Sequence, residues 1–250
     1  MKECSKSISR RLSDSNFIRR YFVGNGLDIG GKPDPLMLYQ EFFPLMTKVM
    51  TWDWENGDAQ FLEGVENGSL DFVHSSHCLE HLENPEQGLL NWFRVVREGG
   101  YVVLTVPDED LYEQGVFPSI FNKNHKWTFT IFKAKSWSDR SINLLDLVRK
   151  LGPEAELIRI EQLSSHYRFE LPRYDQTLTP VGECGIEMVV RKRPKNEVNA
   201  GGRWQRPVIQ PDREMRIHLN QYQNDLETIK KGNQNTLPFE DERPIEGNRK

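Results

Sequence analysis

The stretch Gly24-Asn25-Gly26-Leu27-Asp28-Ile29-Gly30-Gly31 decides the fold of this chain. Its three central residues predict a short buried strand, and the two glycines that follow predict a tight turn. Glycine lets the backbone approach a ligand closely, and open parallel sheets bind their ligands beyond the carboxyl ends of their strands. The stretch therefore predicts an α/β protein with a ligand site directly after its first strand.

Apolar runs downstream predict the rest of the sheet. Strands are expected over residues 48–52, which end before Asp53, over 70–76, and over 101–107 after Glu98-Gly99-Gly100. Residues 85–96 show the spacing of an amphipathic helix, and later strands are expected over 155–163 and 185–190. Strands that alternate with helices predict parallel crossover units, which are right-handed by default.

Composition narrows the classes of function. The chain has 250 residues, a net charge of -4 and no basic block, which argues against a nucleic-acid partner. No apolar run reaches membrane-spanning length and no signal peptide is evident, so a cytoplasmic protein is expected. Three widely separated cysteines, Cys4, Cys78 and Cys184, argue against disulfides or structural zinc and for a reducing compartment.

The ordered set of motifs resembles the class I S-adenosylmethionine-dependent methyltransferases. The set comprises Asp28-x-Gly30, Asp53, Gly57-Asp58-Ala59, the strand over 70–76 and Glu98-Gly99-Gly100. The resemblance is to the type 11-like branch, which modifies small molecules and glycans, and it covers about Tyr21 to Arg193. The sequence departs from the family where Lys32 and Asp34 stand in place of later glycines. A nicotinamide fingerprint is disfavoured because only two glycines follow the strand.

The resemblance implies a Rossmann-like, doubly wound sheet of seven strands in the order 3-2-1-4-5-7-6, with the last strand antiparallel and helices on both faces. A helical lead-in is expected over 1–20, and the methyltransferase domain over 21–193 with a substrate loop at 108–137. Residues 194–250 are expected to contain a linker, an amphipathic helix over 212–231 and a disordered tail. The apolar stripe of that helix predicts a homodimer seam or packing against the domain.

S-adenosylmethionine is the implied cofactor, and three sites along the chain are expected to contact it. Asp53 is suited to the ribose hydroxyls, with Asp58 as its rival, and it is equally suited to capping the turn that follows it. The segment around Asp58 is expected to meet the adenine amine. The predicted contacts are Tyr21, Asp28, Gly30, Gly31, Asp53, Asp58, Ala59, Ser75, Ser76 and His77.

Acidic and aromatic residues follow the fifth expected strand, where the acceptor would bind. Methyl transfer to a hydroxyl requires a base, and His125 is the first choice because its pKa lies naturally near neutrality. A histidine bonded to loop backbone is the alternative. Asp108 and Glu113 are further catalytic candidates, although Asp108 is equally suited to capping a helix. The candidate acceptor contacts are Tyr112, Phe117, Trp127, His166 and Tyr167.

His77 and His81 lie four residues apart, a spacing that binds metal on a helix. No third ligand is evident beside them in the sequence, so no metal is predicted. The predicted function is methyl transfer to a hydroxyl of a small molecule or glycan, such as a surface polysaccharide or nucleotide sugar. The alternatives are a lipid, quinone precursor or amine as acceptor, and a non-catalytic protein that acts through its C-terminal helix.

Overall fold

The computed structural model describes residues 2–203 of the chain. The chain divides into two units, Met1–Asn199 and Ala200–Lys250, and the fold below is that of the first. The helix predicted over 212–231, the tail and the homodimer seam lie outside the described residues. Within the described part of the chain, no helix has the length and apolar character needed to cross a bilayer.

A six-stranded sheet forms the centre of the fold. The strands are β1 (Gly24–Ile29), β2 (Met46–Trp52), β3 (Leu70–Ser76), β4 (Val96–Pro107), β7 (Ala155–Leu163) and β8 (Gly185–Lys192). Their order is β2-β1-β3-β4-β8-β7. The first four are parallel, whereas β8 is antiparallel to both of its neighbours. The doubly wound architecture with an antiparallel last strand is therefore confirmed.

The strand count differs from the prediction. Seven strands were expected, and no strand of residues 2–203 pairs with the outer edge of β2. Turns occupy residues 57–69 instead, and the Arg94 guanidinium binds them by donating to the Val65 carbonyl over 2.9 Å and to Asn67 Oδ1 over 2.6 Å. Because the Val65 carbonyl has a side-chain donor, it needs no strand partner.

Helices flank the sheet. They are α1 (Glu3–Ser13), α2 (Pro85–Val95), α3 (Leu144–Arg149) and α4 (Lys195–Ala200), and a 3₁₀ segment covers Leu36–Phe42. Asn84 caps α2 by accepting from the Gln87 N–H, with Pro85 at the first helical position. α2 ends one residue earlier than predicted, and β4 begins at Val96, ahead of the glycine pair expected to precede it.

Two apolar clusters cover the two faces of the sheet. One packs Leu27, Val73 and Leu104 against Leu89 and Trp92 of α2. The other combines a group of aromatic rings with Ile8 of α1, among them Phe17, Phe22, Phe43 and Phe72. Burial on both faces is typical of a parallel sheet, whose strands are apolar throughout.

Part of the predicted substrate loop is structural. Thr128–Thr130 forms strand β5, which pairs in parallel with β6 (Ser141–Asn143). Phe129 at its centre is fully buried in the main core. The second half of the predicted substrate loop at 108–137 therefore contributes to the core, because alternating threonine and phenylalanine residues form a short strand.

Candidate functional site

A cavity lies beyond the carboxyl ends of β1 and β3, where the connections of the sheet run to opposite sides. This switch point is where open α/β sheets bind ligands. The enclosed part has a volume of about 190 Å³. Its lining consists of Glu3, Cys4, Asp28, Gly30, Gly31, Lys32, Asp34, His74, Ser76, His77, His81 and Asn122.

The backbone of the glycine turn packs closely against the side chains of Cys78 and Asp28. Gly30 has φ +69°, and a Cβ there would stand 2.8 Å from the Cβ of Cys78. A Cβ on Gly31 would stand 2.3 Å from Asp28 Oδ2. Any side chain at these two positions would disturb the turn or the carboxylate beneath it, so both glycines are required by the geometry.

The first turn of α1 closes one side of the cavity. Asp34 Oδ2 accepts from the Ser5 N–H over 2.7 Å, and Asp34 Oδ1 accepts from the Tyr39 hydroxyl. Asp34 therefore holds the start of the helix against the glycine turn, at a position where the family carries glycine. Cys4 is buried in the same turn, and burial raises the pKa of its thiol to about 12.

A buried chain of polar groups connects the cavity to α1. His74 Nδ1 lies 2.6 Å from Asp28 Oδ1, and His74 Nε2 lies 3.0 Å from Arg11 Nη1. Because a guanidinium can only donate, Nε2 accepts and Nδ1 carries the proton that is donated to Asp28. Burial lowers the pKa of His74, and the Arg11 charge acts in the same direction against Asp28, so this imidazole is neutral.

A second group of polar side chains lies beside the cavity. His125 Nδ1 is 2.6 Å from Glu113 Oε1, and both side chains are buried. His81, whose ring centroid lies 5.0 Å from that of His125, lines the cavity. Burial would raise the pKa of Glu80, but the contact with His77 lowers it overall.

The structure brings five of the predicted cofactor residues to the cavity wall: Asp28, Gly30, Gly31, Ser76 and His77. Ser75 lies beneath them and donates to the Ile29 carbonyl. Tyr21 is not brought there, because its ring packs against Tyr101 in the aromatic cluster that also contains Phe17 and Phe22.

The residues predicted for ribose and adenine are not among those that line the cavity. Asp53 caps the turn after β2 and accepts from the Lys32 N–H over 3.1 Å, which connects that turn to the glycine loop. Asp58 accepts from the Gln60 N–H, and the Ala59 carbonyl accepts from the Trp92 indole. Their cofactor contacts stay predictions.

The predicted acceptor residues are spread over several environments. Asp108 caps the turn Glu109–Glu113, and burial raises its pKa. Tyr112 is buried with its ring centroid 5.0 Å from that of His125. Trp127 donates its indole N–H to the Leu82 carbonyl, Tyr167 packs near Tyr112, and His166 is exposed. Phe117 is half-buried. Of the predicted catalytic residues, only His125 and Glu113 are in contact.

Sequence reasoning missed several residues of the cavity wall, notably Glu3, Asp34 and His74. A detectable signal existed for His74, because a histidine in the middle of an apolar strand needs a buried partner. Glu3 and Asp34 gave no comparable signal, since each meets the site only through the packing of α1.

The family model described as a methyltransferase domain matches residues 9–168. No curated protein matches the sequence. A provisionally assigned methyltransferase from Bacillus halodurans is similar in structure, with 13% identity, a TM-score of 0.50, and coverage of 75% of this chain and 99% of that one. A SAM-dependent methyltransferase from Archaeoglobus fulgidus has 17% identity and a TM-score of 0.44, with coverage of 77% and 95%. At 13% identity, the similarity to the Bacillus halodurans protein shows only that the two chains share a fold.

The matched segment spans more than half of the chain, so the chain belongs to this family of methyltransferase domains. It is an enzyme, a methyltransferase that uses S-adenosylmethionine as its cofactor.

Proposed function

We propose that this enzyme transfers the methyl group of S-adenosylmethionine to a hydroxyl of a small molecule or glycan in the cytoplasm. The sugar of a surface polysaccharide or a nucleotide sugar is the acceptor class proposed. The observation that carries the proposal is the buried pair of His125 and Glu113, in contact with a histidine of the cavity wall.

The cavity suits the cationic end of the cofactor. Three carboxylates line it, from Glu3, Asp28 and Asp34, against the single ammonium of Lys32, which is itself ion-paired with Glu55. Such a wall favours a sulfonium and an ammonium group. The enclosed volume of about 190 Å³ is smaller than a whole nucleoside ligand needs, so the adenosine part is proposed to extend toward Asp53 and Asp58.

The cofactor supplies a methyl group activated by positive charge on sulfur. The acceptor oxygen forms a bond to the methyl carbon while the carbon–sulfur bond breaks and its electron pair stays on sulfur. The acceptor hydroxyl must lose its proton in this step. The sulfur leaving group needs no proton, so a general acid is not required. His125 is the proposed base, because Glu113 binds Nδ1 and Nε2 has no hydrogen-bond partner among the described residues.

The proposal is tested by incubating the enzyme with methyl-¹³C-labelled cofactor and a panel of sugars, nucleotide sugars, amines and lipids. The carbon chemical shift of the transferred methyl identifies the atom that received it. Methyl ethers formed on sugars are the expected products. Transfer confined to amines, or to lipid acceptors, would refute the proposed acceptor class.

His125→Ala tests the group that handles the proton. We expect the variant to bind S-adenosylhomocysteine with unchanged affinity in calorimetry while transfer slows by about 10²–10⁴-fold, the usual contribution of a general base. Lys123→Ala, an exposed change on the same loop, is the matched control. Full activity of the His125 variant would show that this side chain has no role in the reaction.

A further inference from the structure

Three polar side chains, Glu80, His81 and His125, meet beside the cavity. His81 Nδ1 lies 3.0 Å from the Asn124 carbonyl oxygen, which can only accept, so Nδ1 carries a proton. His125 Nδ1 contacts Glu113 in the same way. In the neutral imidazoles the lone pairs are then on the Nε2 atoms, the two nitrogens that lie nearest to Glu80 Oε1 from these rings.

Glu80 is an acidic side chain that is fully buried. Within residues 2–203, neither of its oxygens has a well-formed hydrogen bond, and neither has His125 Nε2. His77 Nδ1 lies 3.4 Å from Glu80 Oε1 and is itself without a well-formed hydrogen bond. Burial of polar groups without hydrogen-bond partners is costly, so such a cluster indicates a place where a water or an ion binds.

The spacing of the three groups fits a bound cation better than direct pairing. His81 Nε2 and His125 Nε2 each lie 3.9 Å from Glu80 Oε1, and the ligand atoms all lie within 4.8 Å of one another. A separation of 3.9 Å is too long for a hydrogen bond. Tetrahedral ligands about 2.1 Å from a metal are roughly 3.4 Å apart, so the three groups would have to approach one another by about 0.5–1.4 Å to complete the site.

We propose that Glu80, His81 and His125 bind one divalent transition-metal ion. Two imidazole nitrogens and one carboxylate form the donor set that Zn²⁺, Fe²⁺, Mn²⁺ and Co²⁺ accept with coordination positions left open, whereas Mg²⁺ and Ca²⁺ prefer oxygen donors. Glu113 and the Asn124 carbonyl orient the two imidazoles from behind, as outer partners of metal-binding histidines usually do.

The position of the site gives it a role in the reaction, and that role rests on the proposed function. His81 lines the cavity while Glu80 and His125 lie behind it, so an ion held by the three groups would stand at the cavity wall. An acceptor hydroxyl bound there would be acidified, and its proton would pass to water at the cavity mouth as the oxygen–methyl bond forms. In this form of the mechanism His125 acts as a ligand of the ion, and the effect of His125→Ala comes from loss of the ion.

Calorimetric titration of the full-length protein with Zn²⁺ and with Co²⁺ tests the site. The protein for this experiment carries no histidine tag, has been dialysed against EDTA, and contains neither cofactor nor acceptor. We expect one ion per chain and, with Co²⁺, visible absorption bands of a nitrogen- and oxygen-ligated ion. Absence of binding would overturn the proposal.

Variants show whether a bound ion occupies this site. Glu80→Gln and His81→Asn are each expected to weaken binding at least about 100-fold, and Glu113→Gln to weaken it about 10–100-fold. Glu83→Gln, an exposed carboxylate on the same segment, should leave the affinity unchanged. Circular dichroism and S-adenosylhomocysteine binding report whether each variant is folded. Equal affinity in all variants would mean an adventitious ion only.

The two proposals can fail separately. One ion bound at these residues without methylation of any hydroxyl would leave the metal site standing and refute the proposed acceptor. Methylation of a hydroxyl that persists in EDTA, in protein that binds no ion, would retain the proposed function with His125 as the base and refute the metal site.

Discussion

The Asp28 carboxylate holds two parts of the cofactor site at once. Its Oδ2 accepts from the Leu36 N–H over 2.7 Å, and its Oδ1 accepts from His74. We predict that Asp28→Ala loses detectable S-adenosylhomocysteine binding in calorimetry. We also expect the free energy of unfolding to fall by about 2–6 kcal/mol, since two buried donors each lose a partner at about 1–3 kcal/mol.

Asp28→Asn is the matched variant for this prediction. Its amide oxygen can accept from only one of the two donors, while its NH₂ group faces the other. We therefore expect an intermediate loss of stability in urea titration. Cofactor binding that survives Asp28→Ala unchanged would show that the glycine turn is held without this residue.

The sequence predicts only some of the residues that form the site. Asp28, Gly30 and Gly31 were found because they lie in or directly after a recognisable strand. Arg11 was missed as the partner of His74 because their contact joins residues 63 positions apart, and local patterns contain no information about such pairs. The pairing of His125 with Glu113 spans 12 positions, and the sequence named both residues without showing that they touch.

At the scale of elements, a buried ion pair fastens α1 to β8. Glu187 is fully buried and accepts from Arg11, which is also buried, and from Arg10. We predict that Glu187→Gln lowers the free energy of unfolding by about 3–5 kcal/mol, because it leaves the Arg11 charge without a carboxylate in the core. Urea denaturation at neutral pH measures the loss.

The same pair predicts a pH dependence. Burial raises the pKa of Glu187, but Arg11 and Arg10 outweigh it and lower the pKa below its ordinary value of 4.5. The stabilisation is therefore complete above about pH 4.5 and is lost as the pH falls through the depressed folded value. The Glu187→Gln variant should lose less stability on acidification, because the side chain at this position no longer titrates.

Glu183→Gln serves as the comparison, since Glu183 also pairs with Arg10 but is partly exposed. Its loss should be smaller than that of Glu187→Gln, because Glu183 and Arg10 both keep contact with solvent and Arg10 retains Glu187 as a partner. Similar losses for the two variants would show that burial of Glu187 does not decide the strength of the pair.

The apolar pattern located two strands correctly, although only β3 is buried along most of its length and β7 is half-buried. β3 and β7 have the predicted bounds, Leu70–Ser76 and Ala155–Leu163. The seventh strand was expected from family resemblance alone. Residues 57–69 contain Gly57, Gly64 and Gly68, which all adopt positive φ, and such a segment favours turns over a strand. Arg94, which donates to this segment, lies on a distant helix and could not be assigned to it from sequence.

At the scale of the whole molecule, the described fold is contained in the first unit of the chain. α4 belongs to it, because Glu197 pairs with Arg191 of β8 over 2.7 Å. We predict that a chain ending at Arg203 keeps the thermal midpoint and the S-adenosylhomocysteine affinity of the full-length protein. It should also scatter light as a single chain if residues 212–231 carry the proposed homodimer seam.

The thermal midpoint and the mass from light scattering test different parts of this prediction. A lower thermal midpoint in the shortened chain would show that residues beyond 203 contribute to the stability of the first unit. An unchanged assembly mass would refute the seam and leave the fold unaffected.

Because Cys4 is buried in the cavity wall, the reactivity of its thiol reports local opening of the protein. A thiol whose pKa is raised to about 12 is almost entirely protonated at neutral pH, and a protonated thiol is a poor nucleophile. Cys4 therefore reacts with an alkylating reagent only in molecules whose first helical turn has moved away from the glycine loop. The rate of Cys4 alkylation therefore measures how often this turn opens. A cofactor that holds the turn in place lowers that rate, so its binding can be measured with an unlabelled ligand.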